Sequence, residues 1–272
     1  MKSICKDLSE ECIALDKIVS ELEPSAWKTV TPFYGWTIKD EISHLAYFDR
    51  AAFLSATDAN AFNKEMETML QEFKDFTQMH KKINAEGNAM DCQNLLQWWR
   101  YERNRLIDAF ESLDPKTRLP WYGPSMSAKS SATARLMETW AHGQDIVDAL
   151  NILRCGTDRL KHIAHIGVST FAWSFMNRKL PVPENNVKVE LLSPSNEWWI
   201  WGPNESKNYV NGDAVDFCLI VTQRRHLDDT QIKAEGNTAS QWLKIAQAFA
   251  GPPEKGPEPG IRGNILSDKK MQ

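Results

Sequence analysis

Leu8, Cys12, Leu15, Val19 and Leu22 recur at steps of three and four, the spacing of one face of an amphipathic helix. Thr37 and Asp40 form a capping-box pair in its Asp variant and predict that a helix opens there, carrying His44. Residues from about 60 to 82 are charged and helix-permissive. Leu96, Trp99, Leu106, Phe110 and Leu113 make an apolar seam on a helix from about Gln93 to Leu113, which Asp114-Pro115 stops. Proline and glycine in Leu119–Ser125 call for a loop. Two more helices are expected, about Ser131 to Leu153 and about Thr157 to Asn177. Long helices with short connections predict an antiparallel bundle.

The pattern changes after Leu180-Pro181-Val182-Pro183. Val187–Leu191 alternates like a half-buried strand, and Glu197–Trp201 suits its hairpin partner. Val215–Val221 is apolar and fits either helix or strand. Ile232–Ala234 reads as a short strand and Thr238–Ala250 as a final helix. The expected class is therefore α+β: a four-helix bundle over residues 1–180, a small α+β domain over 181–250, and a Pro/Gly-rich tail over 251–272, extended over the surface or disordered.

With 272 residues, 42% of them hydrophobic, the chain buries a sizeable core. The net charge of −4 and the lack of a long basic run argue against nucleic acid as a partner. Neither a secretory signal nor a membrane span is legible, so no membrane partner is expected. Cys5, Cys12, Cys92, Cys155 and Cys218 are irregularly spaced, which suits reduced thiols and a cytoplasmic location.

Candidate chemistry centres on the Ser131–Leu153 helix. Glu138 and His142 are one helical turn apart and share a face with Ala134, Ala141, Asp145 and Ala149. Small and ionisable residues leave room beside groups that are costly to bury alone. With His44 from the earlier helix, two imidazoles and a carboxylate make a site for a divalent metal with an open position. A solvated face or a buried hydrogen-bond network accounts for the same stripe. Zinc suits the set best, and nickel, iron and manganese are also compatible. Arg103 lies within the apolar seam and needs an anion: a substrate carboxylate, Asp145 or another carboxylate of the bundle. His162 and His165 are expected to pack or to support, and His80 and His226 carry little signal. Nucleophile-elbow, phosphate-loop, dinucleotide and His-Glu-x-x-His motifs are absent from the sequence.

Several segments taken together resemble the DinB-like metalloprotein superfamily, and within it a metal-binding branch of the mycothiol-dependent maleylpyruvate isomerase group. They are Thr31-Pro32 with Gly35-Trp36, Pro120–Pro124, Met137–Asp145, Gln223-Arg224-Arg225 and Ala246–Pro253. The resemblance implies a DinB-like bundle followed by a small α+β domain. It implies metal ligands at His44, Glu138 and His142, and a substrate-binding arginine at Arg224 or Arg225. It also implies a low-molecular-weight thiol as cosubstrate and isomerisation or S-transfer on a small electrophilic molecule that can bear a carboxylate. Arg103 is a further candidate for the carboxylate, and Asp145 for a hydrogen-bond acceptor that orients a ligand. Fold does not fix the reaction. A zinc hydrolase acting without a thiol and a non-catalytic metal- or ligand-binding protein are the alternatives.

Overall fold

The structure, a computed structural model, describes residues 1–72 and 76–262. It divides into two compact units, Met1–Leu150 and Asn151–Gln272.

The first unit is helical. Its helices are α1 (Lys2–Ser20), α2 (Ile38–Thr57), α3 (Ala59–Glu72), α4 (Phe76–Asn88), α5 (Cys92–Ser112) and α6 (Ala128–Ala149). α1, α2, α5 and α6 form the expected bundle, with α1 and α2 each packing on both α5 and α6. α1 buries Leu8, Cys12, Leu15 and Val19, the stripe that the spacing predicts. The capping box forms: the Asp40 amide donates to the Thr37 hydroxyl, and the Thr37 amide donates to the Asp40 carboxylate at 2.9 Å. α6 opens earlier than expected because the Ser127 hydroxyl caps it, accepting from the Ser130 amide. It ends before the expected Leu153, where Asn151 turns into the left-handed region at φ 54°. α3 and α4 lie against α2. Gly87 permits the close approach of α4, since a Cβ there would sit 2.3 Å from Ser43 Oγ. Strands β1 (Arg118–Leu119) and β2 (Met126–Ser127) pair across the proline loop.

The second unit contains α7 (Leu160–Ser169), α8 (Phe171–Met176), β3 (Lys188–Leu192), β4 (Trp198–Trp201), β5 (Tyr209–Asp213), α9 (Ala214–Val221), β6 (Lys233–Glu235) and α10 (Asn237–Leu243). Its sheet runs β4-β3-β5-β6, with β3 antiparallel to β4 and parallel to β5. The expected hairpin forms with Val189 opposite Trp201. Residues 215–221, open between helix and strand in the sequence, are helical and pack on β3 and β5. The whole chain is α+β.

Four differences from the sequence reading have local causes. The helix expected over 157–177 breaks at Thr170 into α7 and α8. These helices, grouped above with the bundle, belong to the second unit: Gly167 of α7 meets Val221 and Phe217 of α9 so closely that a Cβ would lie 2.8 Å from Val221 Cγ2. Strand β5 was not expected, because its polar Asn211-Gly212-Asp213 end hides a central strand in which Val210 alone is buried. The final helix stops at Leu243 rather than Ala250, since the Ala248 amide turns to the Val221 carbonyl at 2.8 Å. The tail through Arg262 is extended and held by side chains of its own unit, as where Gln223 donates to the Glu254 carbonyl at 3.0 Å. The rest of the expected tail lies outside the described residues. All five cysteines are free. Among the described residues, no helix is long and apolar enough to cross a membrane.

Candidate metal centre

α2 and α6 lie side by side in the bundle and bring His44, Glu138, His142 and Asp145 together. His44 and Glu41, one turn apart on α2, face Glu138, His142 and Asp145 of α6. His44, Glu138 and His142 each offer a ligand atom, all within 4.8 Å of one another. His142 Nε2 is 3.2 Å from Glu138 Oε2, and His44 Nε2 is 3.8 Å from the same oxygen. Both imidazoles are buried, whereas the Glu138 side chain keeps 27% of its surface exposed.

The opposite nitrogen of His142 is fixed from behind. Its Nδ1 lies 2.7 Å from Glu41 Oε2, and the Thr31 hydroxyl donates to Glu41 Oε1 at 2.6 Å. Asp145, expected to play this part, stands farther away at 3.8 Å. Glu41 was not singled out from the sequence; the available signal was its place three residues before His44 on the same helical face. It gives His142 the carboxylate–imidazole arrangement typical of metal-binding histidines.

The chain from Thr31 to Trp36 closes over these side chains. The Thr31 amide donates to the Trp36 carbonyl at 2.6 Å, and Tyr34 and Gly35 turn through positive φ. The Trp36 ring stacks 6.1 Å from His142, and Phe33 meets the same imidazole edge-on at 5.0 Å. Phe48 lies 4.6 Å from His44. His80 of α4, read as uninformative in the sequence, stands in the same wall, 5.2 Å from Trp36 and 6.2 Å from His44.

Electrostatics divide the cluster. Burial alone would lower the pKa of His142, but its contacts with Glu138 and Glu41 outweigh burial and hold it up to about 9. Burial, with the nearby His142 charge, pushes His44 down to about 3. Burial works against ionisation of Glu138, yet the two histidines hold its carboxyl well below the ordinary range. Burial raises Glu41 despite His142.

These features suit a divalent cation. His44 stays neutral, its Nδ1 is buried with no hydrogen-bond partner, and its Nε2 is farther from Glu138 than a hydrogen bond. His142 Nε2 faces Glu138 Oε2 at 3.2 Å, and a cation held between them would replace any proton there. Two neutral nitrogens and one ionised carboxylate would remain as ligands.

Other candidates lie elsewhere. Arg103 donates to Asp16 of α1 at 2.5 Å and stacks on Trp99 at 4.4 Å, which is the structural alternative raised for it. Arg224 and Arg225 are buried in the second unit, in the turn after α9, where Arg224 donates to the Thr222 carbonyl at 2.7 Å. His162 and His165 are on α7, and His165 Nδ1 accepts from Trp201 Nε1 at 3.3 Å.

The family model for the mycothiol maleylpyruvate isomerase N-terminal domain matches residues 8–147. The chain belongs to that family. The matched span of this mycothiol maleylpyruvate isomerase N-terminal domain contains His44, Glu138, His142 and Glu41. Proteins from two strains of Mycobacterium tuberculosis, both described as uncharacterized, are 43% identical over 250 residues, covering 92% of this chain and 96% of theirs. Two crystal structures share the fold at 14% identity. Mycothiol-dependent maleylpyruvate isomerase aligns with a TM-score of 0.56 over 93% of this chain and 95% of its own. Its histidine-to-alanine mutant aligns at 0.57 over 82% and 89%.

Proposed function

We propose that this chain is a divalent-metal-dependent enzyme that uses a low-molecular-weight thiol to isomerise, or transfer sulfur to, a small electrophilic substrate. His44, Glu138 and His142 hold the ion, with zinc as the first choice. The observation that carries this reading is the convergence of these three side chains, with Glu41 holding the far nitrogen of His142, in a member of this family. Bound zinc lowers the pKa of a coordinated thiol or water.

The protein's own residues shape the rest of the site. Glu41 and Thr31 keep Nδ1 of His142 engaged, so that Nε2 points toward Glu138. Phe33, Trp36 and Phe48 wall the histidines with apolar surface. Burial pushes the Cys5 thiol up to about 11 and the Cys12 thiol up to about 12, so neither is a nucleophile near neutral pH. In a thiol-catalysed isomerisation, the thiolate adds to a cis double bond conjugated to a carbonyl and the electron pair moves onto that carbonyl. The new single bond rotates, the double bond re-forms, and the thiolate leaves unchanged.

Metal content by plasma mass spectrometry, on untagged protein beside His142→Ala, tests the site. About one zinc per chain in the parent and little in a still helical variant is the expected result. Retained stoichiometric metal in the variant would overturn the ligand assignment. Turnover of maleylpyruvate, or of related unsaturated keto acids, should then require added mycothiol. Hydrolytic turnover without any thiol would instead favour a zinc hydrolase.

A further inference from the structure

The sheet of the second unit has two edges, and they are guarded differently. β6 ends one side with Lys233 and Glu235, both exposed. β4 ends the other and reads Trp198-Trp199-Ile200-Trp201, without charge, proline or glycine. Sheets normally blunt an edge with such residues, because its unpaired backbone groups can recruit another strand. Trp199 is buried, whereas Trp198 and Ile200, which alternate with it and point to the opposite face, are 56% and 54% exposed.

The backbone of these two residues faces outward. The Ser193 amide donates to the Glu197 carbonyl at 2.8 Å, so Ser193 and Glu197 are a hydrogen-bonded pair of the β3–β4 hairpin. Bonded and non-bonded pairs alternate along an antiparallel ladder. Trp199 and Trp201 therefore bond to β3, while Trp198 and Ile200 turn their N–H and C=O groups to the open edge. No strand among the described residues lies beyond β4.

We propose that β4 pairs antiparallel with β4 of a second copy of this chain, about a two-fold axis at Trp199, so that two four-stranded sheets become one. In this register Trp198 lies opposite the partner's Ile200, and Ile200 opposite the partner's Trp198. Each of these pairs exchanges two main-chain hydrogen bonds, and each exposed apolar side chain covers the other. The register also matches charge. Residues 158–165 run along β4: the Ser195 amide donates to Asp158 at 3.2 Å, Lys161 Nζ lies 5.5 Å from the Trp199 ring, and Trp201 Nε1 donates to His165 Nδ1 at 3.3 Å. The partner's Glu197 comes opposite Trp201, between Lys161 and His165. Glu197, Lys161 and His165 are all exposed in the single chain. The inference is independent of the metal centre, whose residues all belong to the first unit.

Sedimentation equilibrium of the full chain tests this. Wild type should show a reversible monomer–dimer equilibrium. Ile200→Pro removes only an outward N–H, which an edge strand tolerates without losing its ladder to β3. It should weaken the dimer about tenfold or more, since the dimer loses two hydrogen bonds. Lys161→Glu should weaken it several-fold by setting like charges together, and adding Glu197→Lys to that variant should restore the affinity. Far-ultraviolet circular dichroism checks that each variant keeps its fold, and the charge exchange leaves the backbone of β4 untouched. A wild type that stays monomeric up to roughly 100 μM would overturn the proposal. So would a dimer of unchanged affinity in Ile200→Pro, or a charge-exchanged double variant that binds no more tightly than Lys161→Glu alone.

Discussion

Glu41 and His142 are 101 residues apart in the chain and 2.7 Å apart in the structure. That contact fixes which imidazole nitrogen faces Glu138 and gives Glu41 a positioning role. Glu41→Gln keeps the shape and removes the charge. The variant should fold and bind zinc about 10- to 100-fold more weakly, the usual cost of losing such a partner. Competition with a chromophoric chelator measures this, and unchanged affinity would show that Glu41 does not tune the site.

His80 sits in the wall beside Trp36 and His44, outside the three-ligand set. His80→Ala should leave metal stoichiometry unchanged and raise KM for the thiol or the substrate several-fold. Loss of metal from this variant would make His80 a ligand and revise the coordination.

Asp16 joins α1 to α5 by receiving Arg100 at 2.6 Å and Arg103 at 2.5 Å. Burial would raise its carboxyl pKa, but the hydrogen bond from Arg100 and the charge of Arg103 outweigh burial and lower it. A folded-state pKa below the unfolded value of about 3.9 gives stability that is complete above that value. It is lost as pH falls through the folded value. Asp16→Asn leaves the buried Arg103 uncompensated and should cost about 3–5 kcal/mol near neutral pH. Urea midpoints measured from about pH 6 to about pH 3 should fall less steeply in the variant below about pH 4. Parallel curves would remove Asp16 from the acid response.

Arg224 and Arg225 are proposed, from the family resemblance, to bind the substrate carboxylate. Replacing each with lysine keeps the charge and loses the planar fork. One of the two variants should lower kcat/KM about tenfold or more with metal content intact. Full activity in both would remove the pair from the site.

Much of the bundle was legible because helical spacing is a local property. The stripe on α1, the Thr37–Asp40 cap and the Glu138–His142 turn each depend on residues within one helix. The hairpin was equally plain, since the alternation of β3 marks its buried face. Strand β5 was hidden because its neighbours β3 and β6, rather than its own composition, make it a strand. His80 was hidden for a related reason: its polar surroundings in the chain say nothing of the Trp36 ring that it meets across the fold.

By itself, the sequence determined the helical bundle, the later sheet and the three ligand-type side chains, because periodicity and side-chain chemistry are carried by the chain. Tertiary structure decided that α2 and α6 lie together, that Glu41 rather than Asp145 grips His142, and that Arg103 is spent on Asp16. Spacing sets which residues share a face of one helix. Packing between helices, through the volume and charge of residues distant in the chain, sets which faces meet.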